Sequence, residues 1–409
     1  MSLRILHALR TVDPRAGKAI KSVCELLAAQ RQFGHTVEVL ALDQAESGDL
    51  YRLGVPVHHI GRSWGAYGFN PNHVRWLKAN VGKFDCVIVH GVWAYNAFGT
   101  WLALRDSNVP YFVMPHGTLD PWRKLRHPLN HLKRWLYWPW GGYPLLRDAH
   151  AVLFLSDDER LRARETFWLY DCHEFVVRFG IAEGPRDGEF GMDPFLDVRP
   201  ELRGMRLFTY FADNGPQRGI ELLLQALHAL SRRGLWKPET MRLVIADPSH
   251  GFTRDSVMRA AARLGLADCL HWAGPLTDDA RWSCLRASEA FLRPSIHETL
   301  GLAVAESLSA GTPVFMSTGV TFWKDVVNDG AGYAEAATRD GVLRLMARAL
   351  ELSNDEREII RRKARRCFEE RYTLDGAANT LTAAIYLLIG VHRDKRWGPR
   401  PLKPASELP

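Results

Sequence analysis

The stretch Arg293-Pro-Ser-Ile-His-Glu-Thr-Leu-Gly-Leu-Ala-Val-Ala-Glu-Ser-Leu-Ser-Ala-Gly-Thr-Pro-Val-Phe-Met-Ser-Thr318 decides the fold of this chain. Leu302, Ala305, Leu308 and Ser309 recur at helical spacing. Gly311 and Pro313 end that helix, and Val314-Phe315-Met316 begins a strand. Ala290–Arg293 reads as the strand before it. Strand, loop, helix and strand in that order make one unit of a parallel α/β sheet. Two carboxylates, Glu298 and Glu306, stand eight positions apart. Eight residues is just over two helical turns, so Glu306 falls inside the helix and Glu298 on the loop that feeds its N-terminus. Gly301 opens the turn between them. N–H groups at a helix N-terminus receive anions, and carboxylates accept hydrogen bonds from sugar hydroxyls. The combination suits a nucleotide sugar. For a bare glutamate pair, the alternative is a buried helix with a solvated acid at each end.

Outward from this stretch the same rhythm fills the chain. Ile5–Leu9 precedes a helix over about 19–33, and strand-like runs follow at Thr36–Leu40, Cys86–Val89, Tyr111–Met114 and Ala151–Phe154. A second series has strands near Leu207–Phe211, Arg242–Ala246, Cys269–Ala273, Ala290–Arg293 and Pro313–Met316. Gly184 to Gly204, rich in glycine and proline, interrupts the two. The expected organisation is a doubly wound domain over 1–184, a linker over 185–204 and a second doubly wound domain over 205–372. A terminal helix over 373–390 and a disordered tail over 391–409 complete it. Ligands of such sheets bind beyond the carboxyl ends of the strands.

The 409 residues are too many for one typical domain, and 46% hydrophobic residues suffice for substantial cores. No uncharged apolar run reaches 18 residues, so no transmembrane helix is predicted. The opening residues read as a first strand rather than a signal peptide. Six scattered cysteines without a Cys-x-x-Cys read as reduced thiols in a cytoplasmic protein, and no His/Cys cluster has metal-ligand spacing. The net charge of +7 fits nucleic acid, an anionic membrane or phosphorylated ligands. No nucleic-acid motif accompanies it.

The 293–318 stretch resembles the E-x7-E signature of the family-4 retaining glycosyltransferases, including the Pro-Ser before it and the Ala-Gly-Thr-Pro-Val exit. The resemblance implies the GT-B fold, two Rossmann-like domains facing a central cleft with a C-terminal helix returning to the first. It implies that Glu298 contacts the donor sugar and Glu306 the ribose, with Leu300, Gly301 and Leu302 around the phosphates. Met114-Pro-His-Gly-Thr-Leu-Asp-Pro-Trp122 resembles a motif of a bacterial polysaccharide branch, which places His116 beside the donor sugar as a catalytic residue. His90, Trp93 and Asp120, after neighbouring strands, are read on the acceptor side. Asp120 either positions an acceptor hydroxyl or caps the next helix. The loop after the first strand carries Gly17 and Lys18 where the family usually has two glycines at the donor phosphates.

The chain departs from the family after Phe211. Arg218 matches the second of two diphosphate-binding basic positions, but the first has become Asp213. An anion there costs rather than helps in a water-poor site. Arg293 is read as a compensating cation. The implied function is metal-independent, retaining transfer of a hexose from a nucleotide-diphosphate sugar to a glycan or lipid-linked glycan, in surface polysaccharide synthesis. No cofactor beyond the donor substrate is implied. A non-catalytic glycosyltransferase-like binding subunit is the rival, and an epimerase of the same fold a third reading. Residues 122–140 mix basic and aromatic residues. They either lie on an anionic membrane surface, at the inner face of the membrane, or bury their aromatics and leave a basic face in water.

Overall fold

The computed structural model describes residues 2–13, 18–43, 54–122, 128–185, 193–212, 219–246, 253–298 and 300–393. They form two compact units, one through Gly180 plus the helix from Leu374, the other from Ile181 to Thr373.

The first unit is built on strands β1 (Arg4–Leu9), β2 (Thr36–Ala41), β3 (Val57–His59), β4 (Cys86–His90), β5 (Tyr111–Met114), β6 (Ala151–Phe154) and β7 (Glu174–Val176). They pair in parallel in the order β3-β2-β1-β4-β5-β6-β7. Its helices are α1 (Lys18–Gln32), α2 (Pro71–Asn80), α3 (Tyr95–Leu104), α4 (Pro128–Tyr137), α5 (Tyr143–Arg147) and α6 (Asp157–Ala163). β1, β4, β5 and β6 are almost wholly buried, as near-continuous apolar runs in a two-faced parallel sheet must be.

The second unit orders β8 (Arg206–Phe211), β9 (Met241–Ala246), β10 (Leu270–Gly274), β11 (Ser288–Arg293), β12 (Val314–Ser317) and β13 (Gly332–Glu335) as β10-β9-β8-β11-β12-β13. Around it lie α7 (Ile220–Arg232), α8 (Arg254–Arg263), α9 (Asp278–Ala287), α10 (Leu302–Ser309), α11 (Trp323–Asn328), α12 (Arg339–Glu351) and α13 (Asn354–Arg371). Helix α14 (Leu374–Arg393) then buries Leu381, Ala384, Ile385 and Leu388 against Ile5, Ile88 and Phe112 of the first unit's sheet.

Each sheet has one place where successive strands wind off in opposite directions. It lies between β1 and β4 in the first sheet and between β8 and β11 in the second. A crevice opens at such a point because the flanking connections leave on opposite faces.

Part of the stretch read as a linker is core. Phe195 and Leu202 are buried with Leu207, Val244 and Cys284 of the second unit. Two large apolar side chains suffice to pin a segment whose glycines and prolines suggest only a connection. Five of the six cysteines are buried, and none is paired in a disulfide. Among the described residues no helix is long and apolar enough to cross a membrane. The tail beyond residue 393 lies outside the described residues.

Candidate active site

In the second unit the chemistry gathers where β8 and β11 end. Arg293, the last residue of β11, has no exposed surface. Its Nε and Nη2 donate to the two carboxylate oxygens of Glu298 at 2.6 and 3.1 Å, and its Nη1 donates to the Phe211 carbonyl at 2.9 Å. Ser295 Oγ adds a 3.1 Å bond to Glu298. The Glu298 backbone is pinned to the loop after β12 by its N–H on the Gly319 carbonyl and by Thr321 Oγ1 on its own carbonyl. Glu298 is thereby fixed in both backbone and side chain. Arg293, read as a cation for the diphosphate, instead orients Glu298, because its guanidinium is enclosed and engaged on three sides.

Glu306 is held by a second arginine. Arg281 on α9, almost fully buried, donates from Nε to Glu306 Oε2 at 2.8 Å and from Nη2 to the same oxygen. Its guanidinium lies 3.6 Å from the centroid of the Phe211 ring. Phe211 thus touches both arginines, one through its carbonyl and one through its ring. Sequence reasoning missed Arg281. The available signal was an arginine on the buried face of α9, among Ala280, Cys284 and Leu285.

Gly301 caps α10 at φ 58°, and a Cβ there would stand 2.6 Å from the Phe322 ring. Gly219, at φ 76°, caps α7 with no room for a Cβ against the Pro294 carbonyl. Gly219 and the Pro294 carbonyl therefore approach as closely as backbone allows, and two helix N-termini open beside the Glu298–Arg293 pair. Leu300 and Leu302 flank Gly301, each half-buried. Asp213 and Arg218 lie outside the described residues, as does Gly17. Lys18 begins α1, and its side chain also lies outside what the structure describes.

In the first unit the corresponding point holds histidines. His7 of β1 and His90 of β4 meet at 2.8 Å, Nδ1 to Nε2. His90 Nδ1 meets His116 Nε2 at 2.8 Å, with the two rings stacked 11° from parallel. Burial pushes the imidazole of His7 down to about 3 and that of His116 to about 4, and holds His90 well below the usual histidine value. Near neutrality all three rings are uncharged. His116 stands at φ 52°, the one described non-glycine residue at positive φ, and Gly117 follows at 68°. Glu159 clamps this turn, accepting the N–H groups of Gly117 at 2.5 Å and Leu155 at 2.7 Å. Burial raises the Glu159 carboxyl to about 6, against the lowering effect of those two bonds.

The residues read on the acceptor side are differently occupied. Both ring nitrogens of His90 are taken by the other histidines. Trp93 donates its indole N–H to the Thr118 carbonyl and packs on Trp138 and Phe167, with Arg134 over its ring. Asp120 is buried and accepts the Trp122 N–H at 2.9 Å, while Arg162 stands 3.6 Å from its other oxygen. Among the described residues no three His, Cys, Asp or Glu side chains cluster as a metal site.

Two family descriptions match the chain. A glycosyl transferase 4-like domain covers residues 19–171, and a glycosyl transferases group 1 domain covers 200–366. The GDP-mannose:cellobiosyl-diphosphopolyprenol alpha-mannosyltransferase of Xanthomonas oryzae pv. oryzae is 23% identical over 90% of this chain and 93% of its own length. A D-inositol 3-phosphate glycosyltransferase of Streptomyces bingchenggensis is 29% identical over 32% of this chain, a match spanning only 29% of that enzyme. In fold, the chain is similar to a glycosyltransferase of Rickettsia africae, with TM-score 0.73 and 14% identity over 95% of this chain and 99% of that one. It is also similar to Anabaena HepE, solved in complex with UDP and glucose, with TM-score 0.70 and 14% identity over 94% of this chain and all of that one. With both Rossmann-like units matched in order along its length, the chain belongs to the GT-B glycosyltransferases of the family-4 type.

Proposed function

We propose that the protein is a retaining, metal-independent glycosyltransferase that moves a hexose from a nucleotide-diphosphate sugar to a glycan or lipid-linked glycan acceptor in surface polysaccharide synthesis. The observation that carries this reading is the pair of arginine-clamped glutamates around the Gly301 helix end, at the point where β8 and β11 diverge. Helix ends take the diphosphate, Glu306 takes ribose hydroxyls and Glu298 takes sugar hydroxyls, each carboxylate pre-aimed by its arginine. That solved Anabaena HepE binds UDP-glucose supports a nucleotide donor. The matched mannosyltransferase, named for a cellobiosyl-diphosphopolyprenol, supports a lipid-linked glycan acceptor.

In a front-face course, the acceptor oxygen bonds to the anomeric carbon on the side from which the phosphate departs. The carbon–oxygen bond to the diphosphate breaks, and the acceptor's proton passes to a leaving phosphate oxygen. The products are a glycoside of unchanged configuration and a nucleoside diphosphate. The protein contributes positioning and charge stabilisation.

The test is a thermal-shift screen against UDP-, GDP- and ADP-sugars, followed by hydrolysis and transfer assays with the best binder in EDTA. Glu306→Ala should weaken nucleotide binding by about 1.5–3 kcal/mol, the worth of hydrogen bonds to a charged group. A folded protein that binds none of these donors better than millimolar would instead support the non-catalytic subunit.

We also infer that α4 meets an anionic membrane surface. Trp138, just past its C-terminal end, is fully buried against Phe167. Leu129, Leu132, Leu136 and Trp140 are more than half exposed, and Trp135 pairs with exposed Trp168. Trp168 in turn lines a cavity of about 450 Å³ with Phe167, Tyr170 and Arg164. Exposed leucines and tryptophans beside Lys133, on a chain of charge +7, match a lipid surface carrying negative headgroups.

A further inference from the structure

The three histidines end inward on a group that neither the mechanism nor the family match uses. Gln30, in the last turn of α1, is wholly buried. It lies close enough to His7 to raise the basicity of that ring. In this conformation Gln30 Nε2, Gln30 Oε1 and His7 Nε2 are all buried without a hydrogen-bond partner among the described residues. Buried polar atoms left unpaired in a core are costly, and a turn of the Gln30 amide is enough to pair it with His7 Nε2.

The constraint on the chain is one of counting. Three neutral imidazoles carry three ring protons, and two of them occupy the His7–His90 and His90–His116 bonds. Only two arrangements are consistent. In the first, His7 Nδ1–H donates to His90 and His90 Nδ1–H donates to His116, so His116 presents an Nδ1–H donor and His7 presents a bare Nε2 inward. In the second every bond is reversed: His116 presents a bare Nδ1 as acceptor, and His7 presents Nε2–H inward. Gln30 can end either chain, with its NH2 on the bare nitrogen or its carbonyl on the N–H. Among the described residues His116 Nδ1 makes no hydrogen bond of its own, so it is the outer end.

We propose that His116, His90, His7 and Gln30 act as one hydrogen-bonded unit, in which the orientation of the Gln30 amide sets whether His116 Nδ1 is a donor or an acceptor toward a sugar hydroxyl. His7, His90 and Gln30 are positioning residues, and His116 is the group that touches the ligand. That ligand contact rests on the proposed transferase function. The strained turn at His116, fixed from behind by Glu159, keeps its ring in register with His90.

The experiment reads the ring nitrogens directly. Histidine is labelled with ¹⁵N, and the His116 Nδ1 and Nε2 resonances are recorded in the wild type, Gln30→Met and His7→Phe. Gln30→Met replaces the amide by an apolar chain of similar length and keeps the core filled, so it should still fold. The expected result is one dominant His116 tautomer in the wild type and averaged pyrrole- and pyridine-type resonances in both variants. His7→Asn, which restores one donor and one acceptor, should return His116 toward a single tautomer. With an identified donor, Gln30→Met should lower kcat on the order of tenfold with KM changed less than about twofold, as for an interaction made mainly in the transition state. Unchanged His116 resonances in both Gln30→Met and His7→Phe would overturn the proposal. The resonance measurement needs no substrate, so a failure of the transferase reading leaves it decisive. Altered resonances with unaltered kcat would confine the coupling to structure and refute its role toward the ligand.

Discussion

Arg293 and Glu298 form a buried ion pair, and such pairs say more about orientation than about net stability. Removing one partner leaves the other charged and enclosed. Glu298→Ala should therefore destabilise the second unit by about 3–5 kcal/mol, seen as a lowered denaturant midpoint, and its loss of activity alone would not prove a contact with sugar. The double variant Arg293→Met/Glu298→Leu should regain most of that stability while remaining inactive. If Glu298→Ala unfolds with the wild-type midpoint, the pair is not enclosed as described. At this scale the sequence reveals the acids and hides their partners. Glu298 and Glu306 stand out because eight residues and a glycine turn relate them locally. Arg281 lies twenty-five positions from Glu306 and reads, by composition, as a solvated charge on a helix. His7 interrupts an apolar strand, a visible oddity whose meaning depends on His90, eighty-three residues away.

Among the elements, the principal strands follow from apolar runs, while β3, β7 and β13 escape such reading because each is short and only partly buried. Helix α14 is legible as a helical segment whose return to the first unit follows from the family resemblance, and the structure adds that it packs on β1, β4 and β5. Helix α4 and the residues just after it show why composition left two alternatives for residues 122–140: the aromatics divide, Trp138 inward and Trp135 and Trp140 outward. Residues 123–127, which carry much of the basic charge of that stretch, lie outside the described residues. The membrane reading is tested on the apolar face itself. Leu132→Ser/Leu136→Ser should cut binding to phosphatidylglycerol vesicles at least about tenfold, since each buried leucine is worth roughly 1.5–3 kcal/mol. Lys133→Ser should act mainly at low salt. Sedimentation with vesicles measures both, and failure of the wild type to sediment would remove the membrane from the account.

On the scale of the molecule, the two units divide their buried ionisable groups unequally, which gives them different responses to acid. His7, His73, His90 and His116, all in the first unit, are held neutral by burial, which lowers His7 to about 3, His73 and His116 to about 4, and His90 well below the usual histidine value. As pH falls from 6.5 toward 4, the unfolded chain binds protons that these folded rings do not. Stability is therefore lost across that window. A tenfold difference in proton affinity between the folded and unfolded chain is worth about 1.4 kcal/mol per group, so the loss reaches several kcal/mol even with coupling among the three linked rings. Glu159 works the other way. Its carboxyl is raised from 4.5 to about 6, so the folded state gains on acidification through that interval, by roughly 2 kcal/mol. Four histidines outweigh one carboxyl. In the second unit His271 is lowered, while Asp193, Asp329 and Glu335, also lowered, lose their contribution only below the ordinary carboxylate range. Between pH 6.5 and 4.5, hydrogen exchange corrected for intrinsic rates should thus show falling opening free energies for β4 and β5 and little change for β8 and β11. His73 bonds Thr100 rather than the other histidines, so His73→Leu should remove part of the acid loss and leave the His116 tautomer untouched. Equal losses in both sheets, or none in the first, would show that these imidazoles are not kept from water in the folded protein.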